Sequence, residues 1–222
     1  MEDKVNFCIT TYKNVDLLMG AIESLRKTVP QGLDYNIIVI NDDPEEALRI
    51  KGVEVINNLV NKGYTKNVNT FLREYLSSQT YIFNDDLVVR PGWYEAMLKA
   101  QENKDYGLIG FLDEGKYSKY GYLFSAFWIN PELVKKIGLL DERMIFHCSD
   151  AEYSYRVATK SDYKLVFLSS KYWLHKGFQA TSKFQNFVEV DKLDNAVWRT
   201  FIEADPELDA KVAVRRIERA DL

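Results

Sequence analysis

The alternation of short apolar runs with segments of helical periodicity constrains the fold of this chain more than any other feature. The clearest run, residues 35–40 (YNIIVI), is continuously rich in β-branched residues, as expected for a strand covered on both faces. Similar runs predict further strands, and apolar residues three and four apart predict helices between them. The predicted strands are 5–10, 35–40, 53–56 and 80–83, and the predicted helices are 15–25, 45–50, 65–76 and 91–101. This order predicts an α/β protein with a mostly parallel sheet and helices on both faces.

The second half of the chain has a less regular pattern. Apolar runs predict three more strands, and helical spacing predicts four more helices. The strands are 107–111, 122–129 and 165–168, and the helices are 131–137, 151–159, 188–203 and 206–218. Residues 116–122 indicate a mobile loop. Without an internal repeat or a Gly/Ser linker, the pattern predicts one compact domain, residues 1–186, followed by a helical tail, residues 187–222.

Composition and charge exclude several classes of protein. The 29 basic and 33 acidic residues give a net charge of -4, which argues against a nucleic-acid binder that depends on a large positive field. Two cysteines, Cys8 and Cys148, do not suggest a disulfide framework and favour a reducing compartment. The N-terminus lacks the pattern of a secretory signal, and no apolar run approaches the length of about 18 residues that a membrane span needs. We therefore expect a soluble cytoplasmic protein, with peripheral membrane contact left open.

Two polar clusters follow predicted strands at the point where each strand ends. They are Asn41-Asp42-Asp43 and Asn84-Asp85-Asp86. In open α/β sheets, ligands bind beyond the carboxyl ends of the strands, so both clusters lie where a ligand is expected. Carboxylates together with phosphate oxygens are typical ligands of Mg²⁺ or Mn²⁺. The alternative is that both clusters are ordinary acidic turns, which are common before a proline.

Six segments carry a resemblance to a known family. In chain order they are CITTYKN, IIVINDDPEE, NKGYTKNVN, YIFNDDLVVRPGW, SAFWINPELVKKIGLLDERMIFHCSDAEYSYR and HKGFQAT. Over residues 4–181, their order and spacing resemble the family 2 glycosyltransferases, with the rhamnosyltransferase-like subgroup the most similar. The resemblance implies the GT-A fold, a Rossmann-like and mostly parallel sheet, with a nucleotide-binding half (residues 1–105) and an acceptor-side half (106–186).

The resemblance also implies roles for residues on the donor side. The residues that would contact the nucleotide or the donor sugar are Thr10, Thr11, Tyr12, Asn41, Asp42, Asp43, Lys62, Asn67 and Asp85. Asn84 and Asp86 occupy the outer positions of the family's D-x-D motif and would ligate Mn²⁺ or Mg²⁺. His175 would be a further ligand or a phosphate partner at the metal site.

On the acceptor side, the resemblance implies that Asp150 is the general base. Asp150 opens a predicted helix, whose dipole favours an ionised carboxylate, although a plain helix cap is the alternative. Glu152 is the second acidic residue of the same motif. Trp128 belongs to an aromatic-rich segment that could stack on a sugar, with core packing as the alternative.

Together these features predict an inverting, divalent-metal-dependent glycosyltransferase. Its donor would be a UDP-, dTDP- or GDP-linked sugar, and its acceptor a glycan, a lipid-linked glycan, a protein or a nucleobase. Two departures, Asn84 for an aspartate and Ser149 for an acidic residue, keep open a non-catalytic module that binds a nucleotide sugar or a glycan. A nucleotidyltransferase is a further alternative, but the segment TTYKN lacks the Gly-rich phosphate loop that such an enzyme usually has.

Overall fold

A computed structural model describes residues 4–77, 79–111, 125–176, 187–205 and 207, and the backbone of 216–220. Within these residues, strands and helices alternate over part of the chain, and elsewhere two strands or two helices follow one another. The strands are β1 (Val5–Thr11), β2 (Tyr35–Asn41), β3 (Glu54–Asn57), β4 (Thr80–Asn84), β5 (Leu87–Val89), β6 (Tyr106–Phe111), β7 (Ala126–Ile129), β8 (Lys164–Leu168), β9 (Trp173–His175) and β10 (Arg216–Ala220). The helices are α1 (Val15–Thr28), α2 (Tyr64–Glu74), α3 (Trp93–Gln101), α4 (Pro131–Ile137), α5 (Ser149–Lys160) and α6 (Phe187–Ala204).

Eight of the described strands form one twisted sheet in the order β10-β8-β6-β7-β4-β1-β2-β3. All neighbouring strands are parallel except β7, which is antiparallel to both β4 and β6. The prediction of a mostly parallel α/β sheet is therefore confirmed. The chain places β2 on one side of β1 and β4 on the other, so the strand order reverses at β1. A sheet of this kind binds its ligand where the order reverses, at the carboxyl ends of the strands.

The core lies on both faces of this sheet. Successive residues of a strand point to opposite faces, so Phe7 and Cys8 of β1 enter different apolar clusters. One cluster includes Leu18 of α1 and Trp93 of α3, and the other includes residues of α2, α4 and α5. Helices therefore cover both faces, which confirms that prediction and explains why β1 and β2 are almost continuously apolar.

A second, two-stranded sheet joins β5 to β9 in an antiparallel pair. The sequence analysis does not predict it, because three-residue strands carry too few positions to show a period. Leu87 pairs with His175, and the Lys176 amide donates to the Asp86 carbonyl over 2.9 Å. This pairing brings His175 beside the Asn84-Asp85-Asp86 cluster.

Two predicted helices are wrong in whole or in part. Residues 45–50 are not helical, because the side chain of Asn57 bonds the Leu48 amide (2.8 Å) and carbonyl (3.2 Å) in an irregular loop. Residues 216–218, predicted as the end of a helix over 206–218, instead belong to strand β10, which pairs with β8 at the edge of the sheet, where strand pairing overrides local helical preference. The loop predicted at 116–122 lies outside the described residues.

None of the helices in the described part of the chain combines the length and apolar character that crossing a membrane requires. The helix predicted over 188–203 is confirmed as α6.

Candidate active site

The main candidate site is a cavity of about 190 Å³ at the carboxyl edge of the sheet. It lies beyond the ends of β1 and β4, where Thr10 pairs with Asn84. It is lined by Thr10, Thr11, Tyr12, Asp42, Tyr64, Asn67, Asn84, Asp85, Asp86, Ser125, Phe146, His147, Cys148, Ser149, Asp150 and His175. Because one water needs only about 10–15 Å³ of such space, the cavity has room for substrate groups.

The Asn84-Asp85-Asp86 corner leaves two buried oxygens without a hydrogen bond. Among the described residues, neither Oδ1 of Asn84 nor Oδ1 of Asp86 has a partner. The other oxygen of Asp86, Oδ2, lies 3.2 Å from Nε2 of His175, and both side chains are more than nine-tenths buried. Leaving buried acceptors unpaired costs free energy, so the corner suits a ligand that supplies the missing contacts.

These oxygens fit a hard divalent cation. Carboxylate and amide oxygens are the ligands that Mg²⁺ and Mn²⁺ prefer, and such ions commonly take only one or two carboxylates from the protein. No group of three or more His, Cys, Asp or Glu side chains in the described ranges is arranged to hold a metal ion. An ion at this corner would therefore complete its shell with oxygens of a substrate or with water.

Asp85, the middle residue of the corner, anchors the turn between β1 and α1. Its Oδ2 accepts a hydrogen bond from the Thr11 hydroxyl over 2.7 Å, and its carboxylate also accepts from the Tyr12 amide. Burial raises the pKa of Asp85 to about 7, since the Thr11 hydrogen bond only partly offsets it and the charge of Asp86 adds to it. Asp85 therefore holds Thr11 and Tyr12 at the cavity wall.

Asp42 organises the loop over residues 58–63. Its carboxylate accepts from the amides of Lys62 and Gly63, both over 2.9 Å, and from Nδ2 of Asn58 over 2.8 Å. Asn58 Nδ2 also donates to Oδ1 of Asn67 over 2.9 Å. Asp42 and Asn67 line the cavity, whereas Lys62 contributes its backbone and its side chain is exposed.

Gly63 is the residue of this loop that packs against Ile145. Its φ is 81°, a left-handed conformation, and a Cβ there would lie 2.3 Å from Cγ2 of Ile145. We expect Gly63→Ala to lower the free energy of unfolding by about 1–3 kcal/mol more than Gly32→Ala, because overpacking adds to the backbone strain. Thermal unfolding should show Tm lower by roughly 2–12 °C relative to that control.

Gly32→Ala is a matched control, because Gly32 has a φ of 85° and nothing lies within 4 Å of a Cβ at that position. Equal Tm values for the two variants would contradict the close approach of Gly63 to Ile145.

Asp150 is the second residue of α5 and lines the same cavity as the Asn84-Asp85-Asp86 corner. The turn before it puts Cys148 in the left-handed region, with φ 63°. Asp150 Oδ1 accepts from the Ala151 amide over 2.8 Å. Burial raises the pKa of Asp150 to about 7, against the opposing effect of that amide. A carboxyl group that titrates near neutral pH suits a general base.

Tyr64 lines the same cavity, and the charges of Asp86 and Asp150 both affect its pKa. Burial raises the pKa of its phenol, and the charges of Asp150 and Asp86 add to that rise. Asp86 and Asp150, which are far apart in the chain, thus share one cavity rather than facing separate surfaces.

Besides Lys62, four residues that the sequence analysis assigns to the site do not line the cavity. Asn41 uses its Nδ2 on the Glu46 carbonyl (2.6 Å) and on Oδ1 of Asn57 (2.9 Å). Asp43 accepts from the Glu45 amide and borders a separate surface recess. Trp128 is in the core, 5% exposed, where β7 pairs with β4.

Glu152, the fourth, is only 1% exposed and forms an ion pair with Arg156. Burial raises the pKa of Glu152, and Arg156 opposes that rise. Arg156 in turn donates to the carbonyls of Ile137 (2.7 Å) and Leu139 (2.8 Å) at the end of α4. Glu152 therefore joins α5 to α4 instead of facing the cavity.

Several lining residues were missed from the sequence. They are Tyr64, Ser125, Phe146, His147, Cys148 and Ser149. All six lie within segments that carry the family resemblance, Tyr64 in NKGYTKNVN and the others in the segment from Ser125 to Arg156. Membership of those segments is the signal that could have found them.

Comparison with known proteins gives a family and a fold. The sequence pattern of Glycosyl transferase family 2 matches residues 7–157, more than half of the chain. A search of curated protein sequences gives no match. Many solved structures are similar.

Three of these structures illustrate the likeness. S. aureus TarS 1–349 is 14% identical with a TM-score of 0.63, covering 96% of this chain and 71% of its own. The mannosyltransferase PcManGT from Pyrobaculum calidifontis, in complex with GDP-Man and Mn²⁺, is 11% identical with a TM-score of 0.58, covering 74% and 54%. GalNAc-T7 with UDP, GalNAc and Mn²⁺ is 15% identical with a TM-score of 0.56, covering 69% and 40%. This chain thus spans about half of the length of the last two, and the likeness shows their common fold, GT-A.

Proposed function

Because the chain belongs to glycosyl transferase family 2, we propose that it moves a sugar from a nucleoside-diphosphate sugar to an acceptor hydroxyl. The observation that carries this proposal is that Asp86, with its unpaired oxygen, and Asp150 line one cavity at the point where the strand order reverses. The structures of similar fold that hold GDP-Man or UDP support a nucleoside diphosphate as the donor's leaving group.

We further propose that the reaction depends on a divalent cation. Four aspartates line the cavity, and none of its described lining residues is Lys or Arg. An anionic diphosphate would be repelled there without a cation. Asn84 and Asp86 would hold Mn²⁺ or Mg²⁺, with His175 beside Asp86. The bound ion would supply Lewis-acid stabilisation of the negative charge on the leaving diphosphate.

The proposed role of Asp150 is to remove the proton from the acceptor hydroxyl. Attack by that hydroxyl on the anomeric carbon, from the face opposite the leaving diphosphate, inverts the configuration. The proton passes to the Asp150 carboxylate and the bonding electrons to the diphosphate oxygen. General-base catalysis of this kind contributes about 10²–10⁴-fold to the rate.

The donor would be held by the wall that Asp85 and Asp42 organise. Thr11 and Tyr12 are placed there by the Asp85 hydrogen bonds, Thr10 by its pairing with Asn84 across β1 and β4, and Asn67 by the Asp42 network. We propose that these residues contact the nucleotide and donor sugar, while Tyr64, Phe146 and His147 border the acceptor.

The proposal predicts that a nucleoside diphosphate stabilises the protein only when a divalent ion is present. At about 100 times its Kd, such a ligand adds about 2.7 kcal/mol, which should raise Tm by roughly 5–10 °C for a chain of this size. Thermal unfolding with UDP, GDP or dTDP, in Mn²⁺ or in chelator, measures this effect. Slow release of nucleoside diphosphate from the matching sugar nucleotide identifies the donor.

Failure of all three nucleotides to raise Tm in Mn²⁺ would contradict the proposed donor class. An equal rise of Tm in chelator would contradict the cation dependence.

A further inference from the structure

A buried carboxylate on helix α6 holds the segment that leads into Asp150. Asp194 of α6 has an exposed fraction of 0%. Its Oδ1 accepts from the Ile145 amide over 2.7 Å, and its Oδ2 accepts from the amides of Phe146 (2.8 Å) and His147 (2.7 Å). Helix α6 lies beyond residue 157, where the family match ends.

We propose that Asp194 is a positioning residue, which fixes residues 145–148 and thereby aims the Asp150 carboxylate at the acceptor hydroxyl. This inference rests on the proposed function of Asp150. It also makes α6, which the sequence analysis sets apart as a tail, part of the acceptor side of the site.

The strength of the contact follows from its chemistry. Hydrogen bonds to a carboxylate are shorter and stronger than neutral ones, and three consecutive amides pointing at one anion form a concave backbone nest. Without Asp194, these three amides would lose their hydrogen-bond acceptor, and each unpaired amide costs free energy.

The conformation of Cys148 depends on such support. Its φ of 63° is unusual for a residue with a side chain, and a strained conformation persists only when the surrounding structure determines it. Cys148 comes directly after the three amides and caps the helix that carries Asp150. Asp194 therefore acts on the residue that sets where α5 begins.

The opposite side of the same segment is fixed by α2. The Ile145 carbonyl accepts from the Thr65 amide over 3.1 Å, and Gly63 packs against Ile145. Other α6 residues also meet the segment, since Asp191 lies 3.9 Å from Nε2 of His147. Residues 145–148 are thus held between Gly63 and α2 on one side and α6 on the other.

A loss of Asp194 should affect the acceptor step more than donor binding. Donor contacts come from the ends of β1 and β4 and from the Asp42 network, and Asp194 touches none of these in the contacts described. A merely structural role would instead lower stability and both kinetic parameters together.

The test compares Asp194→Asn with Glu203→Gln, using the full chain. Asn keeps the size of Asp194 but points an N–H₂ group at one of three amide donors. We expect kcat for transfer to fall about 10–100-fold, with the Kd of the nucleoside diphosphate and Mn²⁺ changed less than about threefold. Glu203 is an exposed acid on the same helix, and its variant should keep wild-type kcat and Kd.

Asp194→Glu retains the charge and should recover part of the lost kcat. Hydrogen exchange adds a measurement on the wild type, in which the amides of Ile145, Phe146 and His147 should exchange slowly. This measurement tests the contact even when Asp194→Asn fails to fold.

Three results would overturn the inference: kcat of Asp194→Asn equal to that of Glu203→Gln, a parallel loss of kcat and donor affinity, or fast exchange of the three amides in the wild type. The first two require an active wild-type protein, so they are distinct from failure of the proposed function, in which the wild type itself transfers no sugar.

Discussion

Asp150→Asn is expected to lower kcat for sugar transfer by about 10²–10⁴-fold while leaving the affinity for the nucleoside diphosphate within a few-fold of wild type. The amide cannot take the proton of the acceptor hydroxyl, and the rate loss equals the usual contribution of a general base. Donor binding should persist because, among the described residues, the Asp150 carboxylate accepts hydrogen bonds from backbone amides at the start of its own helix and from no donor-side residue. Steady-state transfer kinetics and nucleotide titration measure the two effects.

The matched control is Asp16→Asn. Asp16 is the second residue of α1 just as Asp150 is the second residue of α5, but Asp16 is exposed and lies outside the main cavity. This control should transfer sugar at the wild-type rate. Wild-type kcat in Asp150→Asn would instead support a non-catalytic role of Asp150.

The raised pKa of Asp150 gives this prediction a pH dependence. Below about pH 7 the carboxyl group is protonated and cannot act as a base, so wild-type kcat/KM should fall about tenfold per pH unit there. The raised pKa also lowers the stability of the folded protein at high pH. As the pH rises from the ordinary pKa of 3.8 to about 7, the carboxyl group ionises more readily in the unfolded chain than in the fold, so the free energy of unfolding falls. At pH 8, Asp150→Asn should therefore unfold at a higher temperature than wild type.

Asp86→Asn is expected to remove the cation-dependent part of donor binding and to lower kcat/KM by about 10²–10³-fold. A cation's stabilisation of a leaving phosphate is worth several kcal/mol, and each 1.36 kcal/mol is a factor of ten in rate. Asn retains the size of Asp86 but loses the charge that attracts the ion. Titration of Mn²⁺ at fixed UDP, GDP or dTDP, with Tm as the readout, measures the loss.

Asp105→Asn is the control for this change, because Asp105 is an exposed acid that lies well outside the cavity lining. A variant Asp86→Asn that keeps the Mn²⁺-dependent rise in Tm would place the cation elsewhere. A variant that loses cooperative unfolding would assign Asp86 a role in folding.

The strands of the sheet were predictable because burial on both faces leaves a continuous apolar run, as in β2. That pattern also identified the edge where Asp42 and Asp86 lie, since polar residues follow each run directly. The pair β5 and β9 was not predictable, because each strand exists only through its pairing with the other. Likewise, residues 45–50 show helical spacing but are not helical. The Asn57 side chain forms hydrogen bonds with the amide and the carbonyl of Leu48, over 2.8 and 3.2 Å. The local sequence pattern cannot indicate a contact with a side chain so far along the chain.

The site was predictable where a residue belongs to a motif and unpredictable where its role is set by a distant contact. Asp86, Asp150 and His175 were found from motifs, and the structure brings all three to one cavity. Trp128 and Glu152 also belong to motif segments, yet the fold turns both inward, and sequence alone cannot tell a buried side chain from a cavity-lining one. Asp194 belongs to no motif. It binds backbone amides, which every residue except proline has, so its partners leave no signal in the sequence.

The pairing of β5 with β9 has a consequence for the order in which the chain folds. Leu87 and His175 come together only after a long loop has closed, and such non-local contacts form slowly. During synthesis from the N-terminus, the sheet strands β1 to β4 emerge well before His175 does. The corner that would hold the ion is therefore completed only when β9 has been synthesised, well after strands β1 to β4.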